Sequence, residues 1–166
     1  GGERSGGAGG VGAAAGGAAA EERGGVGGPG GGGGGGMGAG SVAGDVGSGF
    51  TTAVVGGDGD ALGGAVPGIL DGAAWDRQLG AAEPVRSRGL TGRLLPATNL
   101  PAAAAADLVI ESVIERTDLK RRVLAEIEAT VSATTIICTN TSTNPIATLA
   151  EALSDPGRFC GMHFFN

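Results

Sequence analysis

The sequence predicts an α/β fold: a doubly wound parallel sheet, incomplete, behind a disordered glycine-rich N-terminus. Three observations lead there. Glycine is 37 of 166 residues, and 28 of these lie in residues 1–60, while the span from Arg93 to Pro156 holds none. That back third alternates short apolar runs with an amphipathic helical pattern, the order that builds strand–helix–strand units. In the front half, one β-branched run, Thr51–Val55, stands between glycines as a short buried strand would.

Taken in chain order, residues 1–30 are Gly, Ala, Glu and Arg without period. Such a segment cannot bury enough apolar area to offset an ordering entropy of roughly 1–2 kcal/mol per residue, so disorder is expected. Residues 31–166 are then the folded domain. Gly30–Gly36 is a run of seven glycines followed by Met37-Gly38-Ala39-Gly40. Alone it matches G-x-G-x-x-G trivially. A short helix over 39–46 and the strand 51–55 then give the order of a dinucleotide-binding unit. Leu62, Val66, Ile69 and Leu70 fit a helix over 58–75, which Pro67 should kink or split. Residues 76–91 carry no pattern, Leu94-Leu95 is a possible strand, and Ala102–Ala106 a turn or short helix.

Leu108-Val109-Ile110 reads as a strand buried on both faces of a parallel sheet. Thr117 can cap a helix from Asp118 to about Thr130. Its apolar stripe is Leu119, Val123, Leu124 and Ile127, with Lys120, Arg121, Glu126 and Glu128 on the wet side. Thr134–Cys138 is the next strand, Ile146–Leu153 a helix with Pro145 in its first turn, and Arg158–His163 a further strand.

Composition narrows the function. A formal charge of −6 argues against nucleic acid and anionic membrane surfaces as partners. No apolar run reaches 18 residues, so no membrane-spanning helix is expected, and no secretory leader is legible. The two cysteines, Cys138 and Cys160, read as buried free thiols in a reducing cytoplasm. No metal cluster is legible.

DLVIESVIERTDLKRRVLAEIEATV (Asp107–Val131), TNTSTNPIATLAEAL (Thr139–Leu153) and RFCGMHFFN (Arg158–Asn166) resemble the NAD-binding domain of L-3-hydroxyacyl-CoA dehydrogenases. The wording is closest to the fatty-acid oxidation complex alpha subunit. The resemblance is specific over Ala106–Asn166, in register but weaker over Gly33–Leu62, and absent over 1–30. It implies a Rossmann-type sheet, NAD as cofactor and an acyl-CoA substrate whose 3-hydroxyl is oxidised to the ketone in fatty-acid β-oxidation. It also implies a homo- or hetero-oligomeric full-length protein. A 3-hydroxybutyryl-CoA dehydrogenase and a non-catalytic remnant stay open as alternatives.

By resemblance, the turn G-x-G-x-M-G-x-G falls on Gly33, Gly35, Met37, Gly38 and Gly40. The first glycines let backbone N–H groups approach the pyrophosphate. Glu115 and Lys120, with the adjoining Val113 and Ile114, line the cofactor site; on spacing alone, Glu115 and Lys120 would be a solvated helix entry. Ser142, in N-T-S, meets the substrate oxygen and the nicotinamide end of the cofactor, and otherwise would cap the following helix. Asn166 contacts the cofactor. His163 is the one histidine. A lone His beside Phe is commonly a core residue, but at a strand's carboxyl end an imidazole suits a base for the hydroxyl proton, and the resemblance makes it that base.

Three departures from the family pattern stand out. Gly56 occupies the position of the acid that should hold the adenosine ribose, with Asp58 two residues on. Residues 26–32, VGGPGGG, replace the apolar first strand, and Pro29 would remove a ladder donor. The chain ends at Asn166, before the family's Glu that orients the base and before its helical domain. The 166 residues alone are therefore expected to be inactive.

Overall fold

The computed structural model describes residues 11–15, 46–47, 50–56, 59–76 and 78–163. The chain runs β1 (Val11–Ala15), β2 (Thr51–Val55), α1 (Gly59–Ala73), β3 (Trp75–Asp76), β4 (Ala81–Ala82), α2 (Pro84–Leu90), β5 (Leu94–Ala97), β6 (Leu108–Glu111), α3 (Thr117–Thr130), β7 (Ile136–Thr139), α4 (Ile146–Ala150) and β8 (Phe159–Gly161). Short 3-10 turns lie at Thr91–Arg93, Leu100–Ala103 and Pro156–Arg158. Six strands form one sheet in the order β5-β2-β1-β6-β7-β8, every pair parallel. This is the order of a doubly wound dinucleotide-binding sheet, whose direction of growth reverses between the first and fourth strands, here β1 and β6.

The central strand corrects the sequence reading. Val11–Ala15 lies inside the stretch expected to be disordered, and it pairs with both β2 and β6. Residues 26–32, where the first strand was sought, lie outside the described residues. The reason is a backbone one. The facing edges of β2 and β6 carry N–H and C=O groups that need partners, and a five-residue segment without proline can supply them whatever its side chains. Apolar patterning cannot find such a strand.

The other elements follow their side chains. Val109, Ile110, Ile137 and Cys138 are all buried, as strands covered on both faces require. Leu119, Leu124 and Ile127 of α3 are buried and Val123 packs against the same core, which includes Ala53, Val55 and Leu149. A second core joins Val46, Ile69, Leu70, Ala73 and Leu94. Pro67 does not split α1. It is exposed, and the helix continues past it to Ala73. Pro96 is accommodated because β5 is the sheet edge.

The unpatterned stretch 76–91 is ordered by local polar bonds instead. Asp76 accepts from the N–H groups of Gln78 and Leu79. Glu83 caps α2 by accepting from Val85 and Arg86. Thr117 is the first residue of α3 rather than its cap: Arg116 holds the cap position without a side-chain bond, and the Thr117 hydroxyl donates to Asn144 Oδ1. Among the described residues, no helix is long and apolar enough to cross a membrane.

Candidate active site

Because β6, β7 and β8 are parallel, the segments that follow them, 112–116, 140–145 and 162–163, emerge on one edge of the sheet. That edge adjoins the reversal of strand order, where open α/β sheets form their ligand crevice.

At its base lies an ion pair. Glu111, the last residue of β6, and Lys120, in the first turn of α3, are both 0 % exposed. Lys120 Nζ donates to Glu111 Oε1 at 3.0 Å and Oε2 at 3.2 Å, and to the Val113 carbonyl at 3.0 Å. The Thr139 hydroxyl donates to Glu111 Oε2 at 2.6 Å, and the Val113 N–H to Oε1. Lys120 was expected on the wet face of α3. It is instead drawn inward, because Glu111 is buried and charged and needs a partner. Sequence reasoning missed Glu111. Its signal was an acid ending the apolar run Leu108-Val109-Ile110, with a lysine nine residues on.

Glu115 lies above this pair, 3.5 Å from Lys120 Nζ. It joins the segment after β6 to the segment after β7. It accepts from the Ser142 N–H at 2.7 Å, the Ser142 hydroxyl at 3.3 Å, the Thr141 hydroxyl at 2.9 Å and the Asn144 amide at 2.7 Å. Partial burial works to raise its pKa. The bonds from Ser142, Thr141 and Asn144, with the Lys120 charge, outweigh that and hold it below the ordinary 4.5. Glu115 is therefore a bound carboxylate, not a solvated helix entry. Ser142 is exposed and does not cap α4, whose cap position is Pro145. Val113 is buried, while Ile114 is 44 % exposed and offers an apolar surface at the crevice edge.

On the far side, His163 Nδ1 lies 3.1 Å from Asn140 Oδ1. Asn140 is buried, and its N–H donates to the Glu111 carbonyl at 2.7 Å. The Met162 N–H donates to the Thr139 carbonyl at 3.0 Å, so the backbone before His163 is tied to the backbone before Asn140. Asn140 is the second residue that sequence reasoning passed over. Cys138 and Cys160 are register partners on β7 and β8, their sulfurs 3.4 Å apart. Only Cys138 is buried, and Cys160 is exposed, which corrects the expectation for the latter. Burial, reinforced by Cys160, pushes the Cys138 thiol up to about 12.

The structure thus brings Val113, Ile114, Glu115, Lys120, Ser142 and His163 to one edge. Gly33, Gly35, Met37, Gly38 and Asn166 lie outside the described residues, as does Asp58. Gly56 is described: it follows β2 directly, and its N–H donates to Ala97 O at 3.0 Å. The strand order and the groups after β6 and β7 suit a dinucleotide. Among the described residues, the end of β2 offers no carboxylate for a ribose. No group of three or more metal-ligating side chains occurs among the described residues.

A parallel sheet of this order, with polar groups gathered past its carboxyl ends, defines a Rossmann-type nucleotide-binding domain. Residues 32–166 match the 3-hydroxyacyl-CoA dehydrogenase NAD binding domain, and the chain belongs to that oxidoreductase family, whose cofactor is NAD. Among solved structures, 3-hydroxybutyryl-CoA dehydrogenase from Escherichia coli K12 is 28 % identical with a TM-score of 0.76, over 95 % of this chain and 30 % of that one. (S)-3-hydroxybutyryl-CoA dehydrogenase from Ralstonia eutropha is 26 % identical with a TM-score of 0.74, over 93 % and 49 %. The dehydrogenase part of a multifunctional enzyme from C. elegans, 24 % identical with a TM-score of 0.74 over 94 % and 32 %, shares the fold. The chain spans less than half the length of each.

Proposed function

We propose that this chain is the NAD-binding part of an enzyme that oxidises the 3-hydroxyl of an L-3-hydroxyacyl-CoA to the ketone, in the manner of fatty-acid β-oxidation. One observation carries the reading: Ser142, held by Glu115, and His163, beside Asn140, share the carboxyl edge next to the strand-order reversal. Alcohol oxidation by hydride loss needs a base for the hydroxyl proton, and a neutral imidazole suits working pH. His163 takes that proton. The Ser142 hydroxyl hydrogen-bonds the substrate oxygen and orients it. NAD, when bound, supplies the hydride acceptor.

Glu115 fixes Ser142 through its N–H and hydroxyl. Lys120 acts from beneath, through Glu115 and the Val113 carbonyl, since its ammonium is already fully engaged by protein acceptors. Gly33, Gly35, Met37 and Gly38 are proposed for the pyrophosphate and Asn166 for the nicotinamide end. The test is NADH formation by the full-length protein supplied with 3-hydroxyacyl-CoA of varied chain length. Activity is expected, with a loss of at least about a hundredfold in His163→Ala. Undiminished turnover in that variant would refute the base.

A second reading, a domain that no longer holds NAD, is favoured by Gly56. Micromolar binding of NAD to the 166-residue chain, measured by calorimetry, would exclude it.

A further inference from the structure

We propose that Cys138 and Cys160 are a redox-active dithiol, which a low-molecular-weight disulfide such as oxidised glutathione closes into a bond between β7 and β8. The inference is independent of the roles given to His163 and Ser142. The two are the only cysteines of the 166 residues, and both are free thiols in this structure. They are register partners on adjacent parallel strands, and their sulfurs lie 3.4 Å apart. Paired strands run about 4.8 Å apart, inside the Cα separation of roughly 4.4–6.8 Å that a disulfide spans. Successive strand side chains alternate between faces. Ile137 and Phe159, one residue before each cysteine, pack in the core that α3 covers, so both sulfurs share the opposite face.

The two thiols differ in access, and that orders the steps. Cys160 is exposed and Cys138 buried. Burial, and then the Cys160 thiol beside it, push Cys138 up to about 12, so Cys160 meets the oxidant first. Its thiolate attacks one sulfur of glutathione disulfide. The S–S bond breaks, and one glutathione leaves with the electron pair and takes up the proton. Cys160 then carries a mixed disulfide, and its own charge no longer opposes ionisation of Cys138. Cys138 Sγ loses its proton, attacks Cys160 Sγ and expels the second glutathione. Two electrons and two protons have passed to the small disulfide, which ends as two thiols. β8 is an edge of the sheet, so the bond fastens to β7 the strand that leads to His163.

The test is mass spectrometry of the full-length protein after incubation with oxidised glutathione, alkylation and tryptic digestion without reductant. Cleavage after Arg122 and Arg158 puts the two cysteines on separate peptides, so the bond joins residues 123–158 to the peptide that begins at Phe159. That joined pair is expected as the main product of the wild type. Cys138→Ser should stop with glutathione on Cys160. Its mixed disulfide should be at least about tenfold more abundant than in the wild type, because a neighbouring thiol competes far better than one in solution. Cys160→Ser should leave Cys138 unmodified in the folded protein. A wild type that stays reduced, or that accumulates glutathione on Cys160, would overturn the proposal. So would a folded Cys160→Ser protein whose Cys138 is capped as fast as Cys160 is in Cys138→Ser. If a serine variant does not fold, the wild-type peptides decide alone.

Discussion

Past the carboxyl ends of β6, β7 and β8, side chains make the structure. Glu111 and Lys120 neutralise each other out of water, Glu115 gathers Thr141, Ser142 and Asn144, and Asn140 meets His163. Past the end of β2, the chain offers Gly56, whose N–H is spent on Ala97 O. The two halves of one parallel sheet thus end in different chemistry. One edge ties its side chains together by charged and polar bonds, which rigidify only when every member is satisfied. The other, among the described residues, presents the backbone of Gly56. The difference separates two properties that a dehydrogenase domain normally combines: the placing of polar groups past β6, β7 and β8, and the grip on the adenosine end past β2, where the described residue is Gly56.

The strongest way to break the comparison is to remove half of the buried pair. Lys120→Met leaves Glu111 charged, enclosed and bonded only to Thr139 and the Val113 N–H. Glu111→Gln removes the ammonium's buried counter-charge and leaves it the Val113 carbonyl at 3.0 Å and Glu115 at 3.5 Å. Each is expected to cost about 3–5 kcal/mol of folding stability, read as the shift in urea-unfolding midpoints followed by circular dichroism. The double variant Glu111→Leu/Lys120→Met should recover most of the loss, since an apolar pair of similar volume carries no desolvation penalty. Single variants as stable as wild type would mean that the pair is hydrated in solution, and the contrast between the two edges would lose its main support.

That pair also marks where sequence reasoning stops. Helical periodicity located α3 to within a residue and put Leu119, Leu124 and Ile127 inside, because apolar spacing reports burial directly. It put Lys120 outside for the same reason: periodicity sees charge, and a lysine turns inward only for a partner on another element. Glu111 and Asn140 were invisible as site residues because their roles are set by what β6 and β7 face across the sheet. Ser142 and His163 are singled out by the N-T-S and H-F-F-N motifs and Glu115 by its spacing to Lys120, and the structure places all three at one edge. β1 was not legible, since Val11–Ala15 is defined by backbone pairing on both sides. The ordering of 76–91 was missed because Asp76 and Glu83 build it from short-range bonds to N–H groups, which leave no periodic trace.

Restoring the missing acid should narrow the gap from the other side. Gly56→Asp places a carboxylate directly after β2, where it can accept from the two ribose hydroxyls. Hydrogen bonds to a charged acceptor contribute about 1.5–3 kcal/mol, so NAD affinity should rise roughly tenfold to a hundredfold in calorimetric titrations. The Gly56→Asn variant, which offers one uncharged acceptor, should gain less. A Gly56→Asp protein that is folded and binds NAD no better would show that the weak edge is limited by something other than the absent carboxylate.

The smallest effect, and the most local to the polar edge, is its response to acid. Three carboxylates among the described residues are depressed, Glu115, Asp118 and Glu128, and Glu115 is the one bonded to the segment after β7 at this edge. For Glu115, burial opposes the charge, and the bonds from Ser142, Thr141 and Asn144 prevail. Its pKa in the folded chain is therefore below the 4.5 of the unfolded one, and folding releases a proton between those two values. The stability this confers is complete above about 4.5, and it is lost as pH falls through the folded value. Glu115→Gln removes the titrating group but leaves an amide oxygen for Ser142 and Thr141. The wild type should be the more stable protein near neutrality, and the difference should shrink steadily below about pH 4.5. Amide exchange at Ser142 should rise in parallel, because its N–H loses a charged acceptor. A stability difference that stayed constant through the acid range would mean that Glu115 titrates as a free carboxylate, and that Ser142 is placed by the backbone after β7 alone.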